Sequence, residues 1–213
     1  MERYIIRHGQ SVNNAGAQEW DPVLTAAGHE QAHLTGRYLL TGRLEPWQES
    51  RSLTAIVCSP LRRAVQTSLG IGASHDCPII VHPSIHETMG PEPGLMVVDE
   101  VRELFPTVSP HPSFPAGRWW PERNETEDDR VARAESSVRF LRDEYAGAED
   151  TVVVVTHGTF GSYLINALLG VGPRRAFRAA QHNCGIAKIV DEEGLPALHF
   201  HNELEHLPEH LRT

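Results

Sequence analysis

The sequence predicts an α/β fold: a three-layer sandwich with a mostly parallel sheet, helices on both faces and one inserted cap region. Three observations predict it. Short runs rich in β-branched residues alternate with longer amphipathic stretches along the chain. The strand-like runs are apolar throughout, as in strands covered on both faces. At 213 residues, with 40% hydrophobic and 22% charged side chains, the chain can build one core without cross-links.

The elements follow in order. "YIIR" (4–7) reads as a buried strand that runs into Arg7, His8 and Gly9. "TAAGHEQAHLTGRYLL" (25–40) reads as a helix, with Gly28 and Gly36 weakening it. "TAIVCS" (54–59) is a second strand, followed by a helix in "SPLRRAVQTSLG" (59–70) with Ser59 as N-cap and Pro60 at its first position. "PIIVH" (78–82) is a third strand. Residues 88–127 carry seven prolines and depart from the alternation. Within them "LMVVDEVRELF" (95–105) predicts a short helix that Pro106 stops. This segment is expected to be a cap or lid inserted in a single domain spanning 1–213. "DDRVARAESSVRFLRDEYAG" (128–147) repeats apolar residues at three and four. Strand "TVVVVTH" (151–157), helix "FGSYLINALLG" (160–170) and a hairpin in "GIAKIVDEEGLPALHFHN" (185–202) complete the chain.

Composition bounds the function. A net charge of −9 argues against general binding to nucleic acid or an anionic membrane. Three cysteines without CxxC spacing, and no signal-like apolar N-terminus, lead to the expectation of a reducing, cytoplasmic setting. The oligomeric state is open.

Two strands end alike, "YIIRHG" and "VVVVTHG", placing His8 and His157 where parallel sheets bind ligands, beyond the carboxyl ends of the strands. Glycine after each histidine is expected to let backbone approach a ligand. Each histidine alone reads as an ordinary turn residue; the match between them points to a shared crevice. Arg62 and Arg63 fall in the first turn of the second helix, where free N–H groups favour an anion.

"RHGQSVNN", "DPVLTAAGHEQA", "CSPLRRAVQT", "HE" (86–87), "VVVVTHG" and "HNCGI" resemble, in order and spacing, the histidine phosphatase superfamily with its phosphoglycerate-mutase-like fold. The resemblance covers most of the chain outside 88–127. It implies a catalytic set of His8 as phosphorylated nucleophile, His157 as second pocket histidine and Glu87 as the acid that protonates the leaving oxygen. It implies phosphate contacts from Arg7, Arg63 and Asn14, with Arg62 only a neighbour. Glu92, His86 and Asp99 stand as rivals to Glu87.

The chemistry suits these residues. A phosphoryl group in transfer spreads charge over three oxygens, which arginine forks match in pairs. Imidazole attacks only when neutral, and Arg7, Arg63 and a protonated His157 are expected to keep His8 so. With arginines supplying the charge, neither a metal nor a cofactor is expected. The expected activity is a metal-independent phosphomonoesterase acting on a small phosphorylated metabolite through a phosphohistidine. The alternatives are a phosphoglycerate mutase-type transferase primed by a bisphosphate, and a non-catalytic phospho-ligand binder. Cys58 lacks an arginine at the spacing of a cysteine phosphatase loop, and the single lysine, Lys188, rules out a Walker loop. The histidines His199, His201, His206 and His210 read as a solvated edge and tail, with a metal site as the rival. Trp119 and Trp120 either pack the cap or meet the leaving group. Arg102, Arg118 and Arg123 are candidate contacts to a second anion in a pocket under 88–127.

Overall fold

Side-chain alternation along the strands divides the core in two. In β1 (Glu2–Arg7), Tyr4 and Ile6 enter one apolar cluster while Ile5 enters another on the opposite face. The same sorting holds in β2 (Ala55–Cys58) and β5 (Thr151–Thr156): Ile56, Cys58, Val153 and Val155 go one way, Ala55, Val57, Val152 and Val154 the other. These strands are therefore covered on both sides, which is why they read as unbroken apolar runs.

The computed structural model describes residues 1–41, 52–91, 95–171 and 178–213. With β3 (Ile79–Val81), β4 (Ser109–Pro110), β6 (Ile186–Glu192) and β7 (Leu195–Glu203), the sheet has the order β4-β3-β2-β5-β1-β6-β7. The pairs among β1 to β5 are all parallel, and β6 and β7 add an antiparallel hairpin. Its two-residue turn, Glu193 and Gly194, has positive φ at both positions, as a tight hairpin of this twist requires. Helices α1 (Ala26–Leu40), α2 (Arg62–Gly72) and the short α3 (Val98–Leu104) feed one cluster; α4 (Glu127–Glu144) and α5 (Gly158–Leu169) feed the other. The predicted mostly parallel three-layer architecture is thus present.

Several local expectations need correction. Gly28 and Gly36 do not mark a weak helix; they let it pack closely. A Cβ on Gly36 would lie 2.5 Å from the carbonyl oxygen of Ile71 in α2, and one on Gly28 would lie 2.1 Å from that of Gln10. Helix α2 begins two residues later than expected. Ser59 does not cap it by bonding to its N2 or N3 amide; its hydroxyl accepts from Leu61 N at 3.2 Å, and the amide of Arg62 instead donates to the Asp21 carboxylate at 2.9 Å. A contact 41 residues away in sequence sets that helix start. Helix α4 begins after Thr126, which shares a capping box with Asp129, and ends before Gly147.

The described part of 88–127 is packed onto the body. Val98, Val101, Val108 and Phe114 join the α1/α2 cluster, while Leu61, Met89 and Leu95 gather Trp119 and Trp120. The Trp119 indole N–H donates to the Met96 carbonyl. Both tryptophans therefore do packing work. No helix among the described residues is long and apolar enough to cross a membrane.

Candidate active site

Strands β1 and β5 are parallel neighbours, with Arg7 opposite Thr156. The next residue of each chain segment leaves the same sheet edge: His8 N donates to Thr156 O at 2.9 Å, and His157 forms the N-cap of α5. The two imidazoles lie with ring centroids 5.1 Å apart, tilted by 59°. Strand β2 delivers Arg63 through the start of α2, and the 3-10 turn Pro83–Ile85 after β3 delivers Glu87. Adjacent strand ends thus bring together segments separated by up to 150 positions.

His8 is nearly buried and fixed at both nitrogens. Its Nδ1 lies 2.7 Å from the Gly9 carbonyl, an acceptor, so Nδ1 carries the proton. Nε2 accepts from Arg63 Nε at 3.1 Å. Burial first, and then the Arg63 charge, hold this imidazole well below its ordinary range; Arg7 adds to that and the Gly9 bond opposes it. His8 is neutral near pH 7 with its lone pair on Nε2.

His157 differs from expectation. It is fully buried, and its Nε2 lies 2.7 Å from the Ser59 hydroxyl. Burial, followed by the charge of Arg63, pushes it well below the usual histidine range. A protonated His157 therefore does not help keep His8 neutral; burial and the arginines do. Gly9 also has a different reason: a Cβ there would lie 2.6 Å from the Gly28 carbonyl, so it permits contact with α1 rather than with a ligand.

Arg7 Nη1 donates to the Gln181 carbonyl at 2.8 Å, and its Nε is buried without a partner. Glu87 sits at the N-terminus of α5. Its Oε1 accepts from Phe160 N at 2.8 Å and its own neighbour Thr88 N at 2.7 Å, and its Oε2 accepts from Thr159 N at 3.1 Å. The anion site at a helix start is thus built at α5, whereas that of α2 is filled by Asp21. Asn14 Oδ1 accepts from the amide and hydroxyl of Ser11, both at 3.0 Å.

A cavity of about 520 Å³ opens over this cluster, lined by Arg7, His8, Asn14, Arg63 and Glu87 among others. His157 lies behind His8 and does not line it. Of the rivals for the acid, His86 is buried with Nδ1 against the Glu87 carbonyl, Asp99 pairs with Arg102 on the surface, and Glu92 falls outside the described residues. No described residue of 88–127 lines the cavity. Arg102, Arg118 and Arg123 are engaged with Asp99, the Pro121 carbonyl and Asp129. Arg62 is 41% exposed beside Asp21. His199 pairs with Glu192 and His206 stacks on Tyr38, and no cluster of three potential metal ligands occurs among the described residues.

Sequence reasoning missed the supports. Arg133 is half-buried and grips Glu125 by two bonds of 2.7 Å while donating to the carbonyls of Ser84 and His86 at 3.0 and 2.7 Å, fixing the loop that carries Glu87. Its guanidinium also lies 3.8 Å from the Phe160 ring centre. Asn183, within the quoted "HNCGI", donates to the His8 carbonyl at 2.8 Å. Trp20, Arg178 and Gln181 line the cavity and carried no signal in the sequence.

Residues 3–204 match the model of the histidine phosphatase superfamily (branch 1). The chain is 30% identical over 176 residues to a glucosyl-3-phosphoglycerate phosphatase of Mycolicibacterium vanbaalenii, covering 78% of this chain and 73% of that protein. It is 25% identical over 200 residues to a probable phosphoglycerate mutase of Photorhabdus laumondii, covering 89% and 84% respectively. The solved structure of a mycobacterial glucosyl-3-phosphoglycerate phosphatase complexed with VO3 shares the fold, with a TM-score of 0.65 at 24% identity over 94% of this chain and 98% of that one. With a family model matching nearly end to end and two histidines at one parallel sheet edge, the chain belongs to branch 1 of the histidine phosphatase superfamily.

Proposed function

We propose that this protein is a metal-independent phosphomonoesterase acting on a small phosphorylated metabolite through a phosphohistidine at His8. One observation carries the reading: a neutral His8 whose only lone pair, on Nε2, is held by Arg63 at the floor of the cavity. An arriving phosphate draws the guanidiniums of Arg63 and Arg7 onto its oxygens, which frees that lone pair for in-line attack. Asn14 adds a contact from the rim. As the Nε2–P bond forms, the P–O bond to the leaving group breaks. Its electron pair stays on oxygen, which takes a proton from Glu87 and departs as the alcohol. Water then attacks phosphorus, Glu87 recovers a proton from it, and the N–P bond breaks to restore His8 and release inorganic phosphate. His157, buried beside His8 with its Nε2 on the Ser59 hydroxyl, supports the nucleophile's ring without reaching the cavity.

The similarity to a probable phosphoglycerate mutase supports a second reading, transfer of the same phosphoryl group to a phosphoglycerate. A screen of metabolite phosphates with chelator present, run beside His8→Ala, tests the first. Chelator-resistant release of inorganic phosphate that the substitution removes is expected. Bisphosphate-primed interconversion of phosphoglycerates without net release would favour the mutase.

A further inference from the structure

The cavity is wider than a phosphate, and two residues on its wall are unused by the reaction above. Trp20 is 63% exposed there. An exposed indole is usually incidental, but this one is held at both ends. Before it, the Asn13 side chain exchanges two bonds with the Glu19 backbone, Nδ2 to O at 2.8 Å and N to Oδ1 at 2.9 Å. After it, Asp21 is buried and anchored to the amide of Arg62. The ring is therefore presented by a fixed backbone, so little conformational freedom remains to be lost when a ligand covers it. Glu19 lines the same wall, and its carboxylate suits hydroxyl groups beside a stacked ring.

Arg178 lines the cavity as well, is exposed, and has no carboxylate partner among the described residues. Burial chiefly disfavours the charge of Arg7 on the same cavity, and Arg178 adds slightly to that. A cavity lined by Arg7, Arg63 and Arg178 together attracts anions. Arg7 serves the phosphate in the proposed reaction, which leaves Arg178 for a second anion a short distance away.

We propose that Trp20 and Arg178 form the leaving-group subsite, which selects phosphomonoesters whose alcohol carries a sugar ring and a carboxylate. This rests on the phosphatase reading for its chemistry but not for its binding test.

Two matched substrate pairs isolate the two contacts. Glucose 6-phosphate and sorbitol 6-phosphate differ by ring closure, and 3-phosphoglycerate and glycerol 3-phosphate differ by the carboxylate. The wild type should prefer the first member of each pair in kcat/KM. Trp20→Ala should erase the ring preference, a loss of roughly fivefold to tenfold, with Trp20→Phe retaining most of it. Arg178→Ala should erase the carboxylate preference, a loss of about tenfold or more. In each variant the loss should fall on the first member of the matched pair more than on the second. The same four ligands titrated calorimetrically into His8→Ala, with and without each rim substitution, read the subsite without turnover. Equal affinity within both pairs, or rim substitutions that weaken all four ligands alike, overturns the subsite. If the binding preferences are present while the wild type releases no phosphate from any of them, the subsite stands and the phosphatase reading falls.

Discussion

Arg63 Nε donates to His8 Nε2 across 3.1 Å, so the residue that clamps phosphate in the proposed reaction also holds the nucleophile's lone pair beforehand. One guanidinium has two effects here: it fixes the ring tautomer, and its charge helps keep the ring neutral. Replacing Arg63 with Met should separate from a simple loss of affinity. Without that cation His8 protonates more readily, so the acid limb of the kcat/KM profile should move to higher pH. Activity at the optimum should fall about 10²- to 10³-fold. Arg63→Lys should keep the limb near its wild-type position but recover only part of the rate, since lysine lacks the fork. The two pH–rate profiles check this.

Asp21 predicts a pH dependence of stability. Burial raises its carboxyl from the ordinary 3.8 to about 6, against the opposing pull of the Arg62 amide and the two arginines, whose contacts of 3.8 and 3.9 Å are long. A raised folded-state value favours the protonated group in the native state. Its stabilisation is therefore complete below about pH 3.8 and is lost as pH rises through about 6. Relative to Asp21→Asn, the wild type should lose on the order of 2–3 kcal/mol across that window. Denaturant melts of both proteins from pH 3.5 to 7.5 measure it; parallel curves would contradict it.

Arg133 and Glu125 form a pair with side chains 12% and 7% exposed. Arg133→Met leaves a buried carboxylate and strips donors from the carbonyls of Ser84 and His86, so it should cost about 3–5 kcal/mol. The double substitution with Glu125→Gln should recover part of the stability but little activity, because the Glu87 loop remains unsupported. Chemical denaturation and kcat separate the two effects.

Gly28 packs its helix against the loop that carries His8. A Cβ there would meet the Gln10 carbonyl oxygen at 2.1 Å, a contact the backbone must shift to relieve. Gly28→Ala should therefore destabilise by about 1–3 kcal/mol, in spite of alanine's higher helix propensity. It should also lower kcat through displacement of His8. A stabilised, fully active variant would refute the close packing.

These residues show what was legible in the sequence. The doubly covered strands declared themselves as continuous apolar runs, and the hairpin turn at Glu193 and Gly194 lies inside the segment 185–202 that read as a hairpin. The paired His-Gly strand ends marked the site because parallel neighbours share an edge. What stayed hidden depends on long-range contacts. Asp21 resets the start of α2 and occupies the anion position that first-turn arginines had suggested. Gly28 and Gly36 look like weak points in isolation and are packing contacts in the fold. The burial of His157 behind Ser59 has no local signature, nor do the rim positions of Trp20 and Arg178. Strand β4, two residues including Pro110, is too short to leave a pattern.

The most direct test of a nucleophilic His8 is to quench single turnovers with base, map the phosphoryl adduct and assign its nitrogen by NMR. The fixed tautomer predicts a base-stable, acid-labile phosphoramidate on His8 Nε2, formed and consumed at rates compatible with turnover and absent from His8→Ala. Phosphate release with no adduct at times before turnover is complete, an adduct on Nδ1 or on another residue, or retained turnover in His8→Ala would contradict the account.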